Sequence, residues 1–121
     1  MKKDFVIYTK MLGIILWLFE KVNTFPKKQR FVLGQQIESS SLLCMRYIVE
    51  ANNIGGDRRK VLNKLDDLNI ELEVLRGLLR IAHELHFIKA SSLCYIVEQI
   101  DEVGKMRGGW AKRYYSSNKD N

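Results

Sequence analysis

The sequence predicts an all-α protein, an antiparallel up-down four-helix bundle, and three observations carry that prediction. Proline occurs once, at Pro26, and the eight glycines fall largely between or at the ends of apolar-periodic stretches, a distribution that suits long helices. Four stretches repeat apolar residues at helical spacing, with short punctuated connections between them. At 121 residues and 46% hydrophobic content, the chain can fill one core and is short for two, so a single domain is expected over residues 1–113. Short links between long helices favour antiparallel neighbours crossing at about 20°.

The first helix is expected over about 4–23, with Asp4 placed to cap it, and it ends at Asn23-Thr24-Phe25-Pro26 because the residue before proline is pushed out of the helical region. Its apolar residues, among them Phe5, Ile7, Leu12, Ile15, Leu16, Trp17 and Phe19, cover nearly every face. A helix apolar all round must be covered all round. The second helix, about 27–53, opens at Pro26 and is stopped by Gly55-Gly56. Leu33, Ile37, Cys44, Ile48 and Ala51 lie near a heptad seam, and Ser40 and Ser41 are small enough there to admit a neighbouring helix.

The third helix, about 57–86 with Asp57 as its cap, places Leu62, Leu65, Leu68, Leu72, Leu75, Leu79 and Ala82 on one stripe. A second stripe, Val74, Leu78, Ile81, Leu85 and Ile88, widens its apolar arc beyond what one core needs. The fourth helix, about 90–107, turns Leu93, Ile96, Val97, Ile100 and Val103 inward and is closed by Gly108-Gly109. Trp110 is expected to fold back as its hydrophobic stop, and 114–121 to form a flexible tail. The surplus apolar surface on the first and third helices predicts self-association into a homo-oligomer.

Charge narrows the choice of partner. The chain carries a net +6, and residues 1–60 hold 11 Lys and Arg against 5 Asp and Glu, whereas 61–121 balance at 9 and 9. A polyanion fits this balance, and so does a solvated basic face. The N-terminus imitates a signal peptide, but Lys10 precedes the apolar run 11–19, Glu20 and Lys21 follow it, and the run is about half the length that crosses a bilayer. No membrane partner is expected. Cys44 and Cys94 both read as reduced, buried small hydrophobes, which makes the cytoplasm the expected compartment.

The chain shows no catalytic constellation, so neither an enzyme nor a cofactor is expected. In His83-Glu84-Leu85-His86 the histidines are three apart, not the four a zinc helix needs, and the pair reads as helix-end imidazoles. The candidate contacts to nucleic acid or a partner protein are cationic. Arg58, Arg59 and Lys60 follow Gly55-Gly56 into a helix start, which is either an anion site or a solvated turn. Arg76 and Arg80 border the apolar stripe, where they either pair with Glu73 and Glu84 or grip a partner. Lys105, Arg107, Lys112 and Arg113 interleave with Trp110, Tyr114 and Tyr115, a composition that stacks on bases while touching phosphates. Lys27, Lys28 and Arg30 open the second helix against its dipole, at some cost in stability.

Two motifs then point to a family. The run Phe25-Pro26-Lys27-Lys28-Gln29-Arg30-Phe31-Val32-Leu33-Gly34-Gln35-Gln36-Ile37 resembles the helix-two opening of the four-helix-bundle family that includes Avd, the accessory variability determinant of diversity-generating retroelements. The ending Val103-Gly104-Lys105-Met106-Arg107-Gly108-Gly109-Trp110 resembles that family's last-helix signature. The similarity extends over about 1–113. It implies a homopentameric barrel of bundles with a basic surface that associates with a reverse transcriptase and its template-repeat RNA or cDNA. Five copies would carry about five times the +6 of one chain. The resemblance transfers scaffold positions only, so the contact residues named above rest on spacing and charge. The bundle proteins encoded within intervening sequences of ribosomal RNA genes share the fold and part of the first motif and are the alternative, beside a purely structural oligomer that binds no nucleic acid.

Overall fold

In the computed structural model, which describes residues 2–119 and the side chains of residues 6–115, four helical runs are present and no strand. Helix α1 is Lys2–Val22. Helix α2 covers residues 27–53 as a first turn Lys27–Gln29, a π-helical segment Arg30–Gly34 and a long run Gln35–Asn53. Helices α3 and α4 are Arg58–Glu84 and Ala90–Lys119. Each helix packs on the next and α4 closes back on α1. Cross-helix pairs give the directions: Lys10 meets Glu102 and Trp17 meets Tyr95 between α1 and α4, while Ser40 meets Glu71 and Glu50 meets Lys64 between α2 and α3. Residue numbers rise on one helix as they fall on the other, so both pairs run antiparallel.

The core is built around α3. Val61, Leu65, Leu68, Leu72, Leu75, Leu79 and Ala82 are all 0–1% exposed, and their spacing alternates four and three without a break. Burying a Leu side chain is worth roughly 1.5–3 kcal/mol, which makes this seam a major source of cohesion. Leu62, expected on the stripe, is only half-buried, and Val61 takes the position. The reason is geometric: Leu62 stands three residues before Leu65, which itself stands three before Leu68, so it falls off a seam of 3.5-residue period. On α2 the expected seam is buried throughout, with Ser40 and Ser41 at 3% and 0% exposure. Ser40 Oγ donates to Glu71 Oε2 at 2.7 Å, so the small residue both admits α3 and satisfies one of its carboxylates.

The opening of α2 departs from a regular helix. Gly34 is buried against α1, and a Cβ built on it would lie 2.6 Å from Val22 Cγ1. That approach leaves room for hydrogen and nothing larger. The turn leading up to it, Arg30–Gly34, widens to a π-helix, a device that accommodates an extra residue without breaking the helix. Phe31 and Val32 are left 64% and 61% exposed. Hydrophobic periodicity alone gave no sign of this.

Helix α4 does not stop at 107 as expected. It continues through Gly108 and Gly109 to Lys119. Neither glycine takes a positive φ, the conformation by which glycine ends a helix, and Trp110 and Ala111, at 5% and 3% exposure, dock the extension on the core. Trp110 therefore has the structural role expected of it, but from inside the helix. The part of the expected tail that is described, 114–119, is helical, and residues 120 and 121 lie outside the described residues. At the other end α1 has already begun at Lys2, which puts Asp4 within the helix and not at its cap.

The ends of α3 follow local rules. Asp57 caps its start, accepting from the Lys60 N–H at 3.2 Å, after a left-handed Gly55 with φ 79°. At its finish His86 has φ 67°, the Phe87 N–H donates to the Ala82 carbonyl at 2.8 Å and the His86 N–H to the His83 carbonyl at 2.9 Å. These two bonds make a Schellman cap with histidine where glycine is usual. The cap turns the chain inward, so Phe87 meets Phe25 with ring centroids 5.5 Å apart and Ile88 is buried. Ile88 thus belongs to the core and not to the outer stripe expected for it. Leu78 is half-buried against the core, and the rest of that stripe is open: Val74, Ile81 and Leu85 are 45–51% exposed, joined by Ile70 at 63%. Cys94, expected to be buried, is exposed, because it falls on the outer side of α4 two residues before Ile96.

Candidate nucleic-acid interface

The fold divides the candidate cations into separate groups. Lys27, Lys28 and Arg30 lie at the end of the bundle where α1 finishes and α3 finishes, beside the exposed Phe31 and Val32. Lys27 and Lys28 are exposed, and Arg30 is half-buried with its Nε enclosed and unbonded. Arg58, Arg59 and Lys60 lie at the opposite end, with the close of α4. From Arg58 to Arg80 the axis of α3 rises about 33 Å, so no single compact ligand touches both ends.

Arg76 and Arg80 are committed to carboxylates. Arg76 Nη1 meets Glu73 Oε1 at 2.6 Å, and its Nε meets Asp101 Oδ1 at 2.8 Å across the helix interface. The first pair is the local one that spacing offered, and the second could come only from the fold. Gly104 makes room for it, since a Cβ there would lie 3.3 Å from Arg76 Nη2. Arg80 pairs with Glu84 at 3.6 Å. Arg76 and Lys105 line an open trough between α3 and α4 together with Glu73, Glu98, Asp101 and Glu102. Four carboxylates against two cations make that trough a poor seat for phosphate.

The far end differs. Arg58 and Arg59 at the start of α3 share a cleft of about 340 Å³ with Tyr114 and Tyr115 near the end of α4, and Asn63 and Asp66 line its side. Arg58 is half-buried and Arg59 exposed, while Tyr114 packs partly on the core and Tyr115 is 51% exposed. Sequence reasoning named these cations and aromatics in two unrelated clusters, and the fold joins them. The extension of α4 past its glycines is what carries the tyrosines there. Lys112 and Arg113 are exposed on the same last turns. Arg107 is half-buried with its Nε enclosed. Asn63 and Asp66 carried no functional signal in the sequence.

A second groove lies between α1 and α4, and no motif in the sequence marks it. It encloses about 470 Å³ lined by Val6, Gly13, Ile14, Trp17, Tyr95 and Ile96. Trp17 and Tyr95 stand 5.6 Å apart by ring centroids, and Lys21 Nζ lies 5.2 Å over Trp17. Elsewhere, a hydrogen bond from Lys64 and a further one from Arg46 hold the Glu50 carboxylate below its usual range. Burial, reinforced by the Glu71 charge, pushes the Cys44 thiol up to about 12. Among the described residues no three His, Cys, Asp or Glu cluster as metal ligands, and no helix is long and apolar enough to cross a membrane.

The architecture is that of a four-helix-bundle protein. Residues 5–114 match the bAvd-like family, and the chain belongs to it. The bundle superimposes with a TM-score of 0.82 on the crystal structure of a protein of unknown function from the S23 ribosomal protein family of Bacteroides thetaiotaomicron VPI-5482. The two are 22% identical, over 91% of this chain and 98% of the other. A likeness at that identity speaks for the fold alone. No curated protein matches the chain. Family membership suggests an Avd-type scaffold.

Proposed function

We propose that the chain is a non-catalytic accessory scaffold of a diversity-generating retroelement, working in the cytoplasm as an oligomer, a pentamer by resemblance, that holds the element's reverse transcriptase and its template-repeat RNA or the cDNA copied from it. The observation that carries this reading is the match to the bAvd-like family across residues 5–114. Two physical features support it. Ile70, Val74, Ile81 and Leu85 form an open apolar row on α3, and a second copy is the simplest cover for such a row. The cations at the bundle ends, on a chain of net +6, suit a polyanion.

Co-expression with a reverse transcriptase of such a retroelement tests the polymerase contact, and RNA binding across a salt series tests the rest. Each phosphate neutralised on a single strand contributes a log–log slope of about −0.7. Charge reversal at Arg58 and Arg59 should flatten that slope, whereas charge reversal at Arg76 should act mainly on stability. A monomer at micromolar concentration that neither retains the polymerase nor binds RNA at low salt would refute the proposal.

A further inference from the structure

We propose that the cleft between the start of α3 and the end of α4 seats one unpaired nucleotide of a single strand, with its base against Tyr114 and Tyr115 and its phosphate against Arg58 and Arg59. This inference rests on the RNA-binding reading above and narrows it to one place and one form of RNA.

The cleft has the parts such a ligand needs and lacks those of a plain anion site. Its volume of about 340 Å³ lies at the small end of sites that hold compact ligands. Two tyrosines and two arginines line it together, and aromatic residues contribute nothing specific to a bare phosphate. Asp66 lines the same space. A carboxylate there repels a second anionic group, so the occupant is anionic at the arginine end and neutral where Asp66, Asn63 and the rings meet it. A nucleotide within a strand has that division: one phosphate charge, and a flat neutral base whose edge offers donors and acceptors to an amide and a carboxylate.

The arginines are available for the task. Arg76 and Arg80 are each held by carboxylates, but among the described residues neither Arg58 nor Arg59 is in an ion pair. The geometry also selects strand form. A-form duplex keeps its bases stacked inside and offers phosphates and 2′-hydroxyls at its surface. Away from its two ends it can reach Arg59 from outside, but it cannot lay a base face on Tyr115. Unpaired strands are routinely held by this combination of ring stacking and cationic contact.

Fluorescence anisotropy with three probes tests the assignment: a short oligouridylate, a strand of equal length with abasic backbone, and a blunt RNA duplex. Wild type should bind the oligouridylate about tenfold or more tightly than the abasic strand, the gain expected from stacking on one aromatic residue. Tyr115→Ala, at a half-exposed position, should cut that preference severalfold and leave duplex binding unchanged, and Tyr115→Phe should retain it. Arg58→Gln with Arg59→Gln should weaken both single strands alike. If Tyr115→Ala keeps the full preference, or loses duplex binding in equal measure, the cleft is not a base seat, although RNA binding elsewhere on the protein stands. If wild type binds none of the three probes at low salt, the RNA-binding reading falls and the cleft assignment with it. Unchanged helical circular dichroism in each variant shows that the fold is intact.

Discussion

Trp110→Ala should unfasten the end of α4. Past Gly109 the described side chains that reach the core are Trp110, at 5% exposure, Ala111, at 3%, and the half-buried Tyr114. Against them stand Gly108 and Gly109 in a helix interior, each costing about 1 kcal/mol relative to alanine. A free helical run of the length of 108–119 is marginal in water. Removing a buried Trp side chain costs about 3–5 kcal/mol. Undocking of the segment caps the loss, because once it has frayed it has no further contact to lose. A loss of about 3 kcal/mol corresponds to a fall of about 12 °C in Tm for a chain of this size. Thermal melts at one fixed protein concentration measure the first effect, since self-association would otherwise move Tm. Hydrogen exchange of amides over 108–119 measures the second, and they should become fast-exchanging in the variant. Trp110→Phe should retain protection at a cost of about 1 kcal/mol. If Trp110→Ala melts within about 3 °C of wild type with its amides still protected, the docking argument is wrong.

Three further outcomes follow from other positions. His86→Gly should stabilise the protein by about 1 kcal/mol, because histidine at φ 67° carries a steric cost that glycine avoids; a lower Tm in calorimetry would contradict this. Iodoacetamide at pH 8 should modify the exposed Cys94 and spare Cys44 until the chain is unfolded, as peptide mass spectrometry can show. The folded state holds the Cys44 proton more tightly than the unfolded chain, so its contribution to stability is complete below the ordinary pKa of 9.0 and is lost as pH rises toward about 12. Cys44→Ala should therefore show a shallower alkaline loss of stability than wild type in denaturant titrations.

Most of the bundle is legible in the sequence. The seam on α2, the run from Leu65 to Ala82 on α3 and the Asp57 cap are local patterns, set by residues three and four apart or by a side chain and the backbone of its own turn. Leu62 falls off the seam because register decides burial and Val61 holds the register position, and Cys94 is exposed because its place on α4 outweighs the usual burial of its residue type. The stop at Gly108-Gly109 failed because a propensity cost of about 2 kcal/mol is smaller than the burial of one tryptophan. The candidate site was legible only in pieces: its cations and aromatics could be named, but the partners of Arg76 and the cleft shared by Arg58 and Tyr115 could not.

By itself the sequence determined the helical class, the number of helices, the direction in which each apolar face must turn and the excess of positive charge, because all of these depend on composition and on spacing within one helix. Tertiary structure decided which cations are already spent on carboxylates, where α2 widens to pass α1 at Gly34, how far α4 runs, and which residues from opposite ends of the chain share a cleft. Those outcomes depend on contacts between residues tens of positions apart. Their energies arise only when helices meet, and no period along a single helix records them.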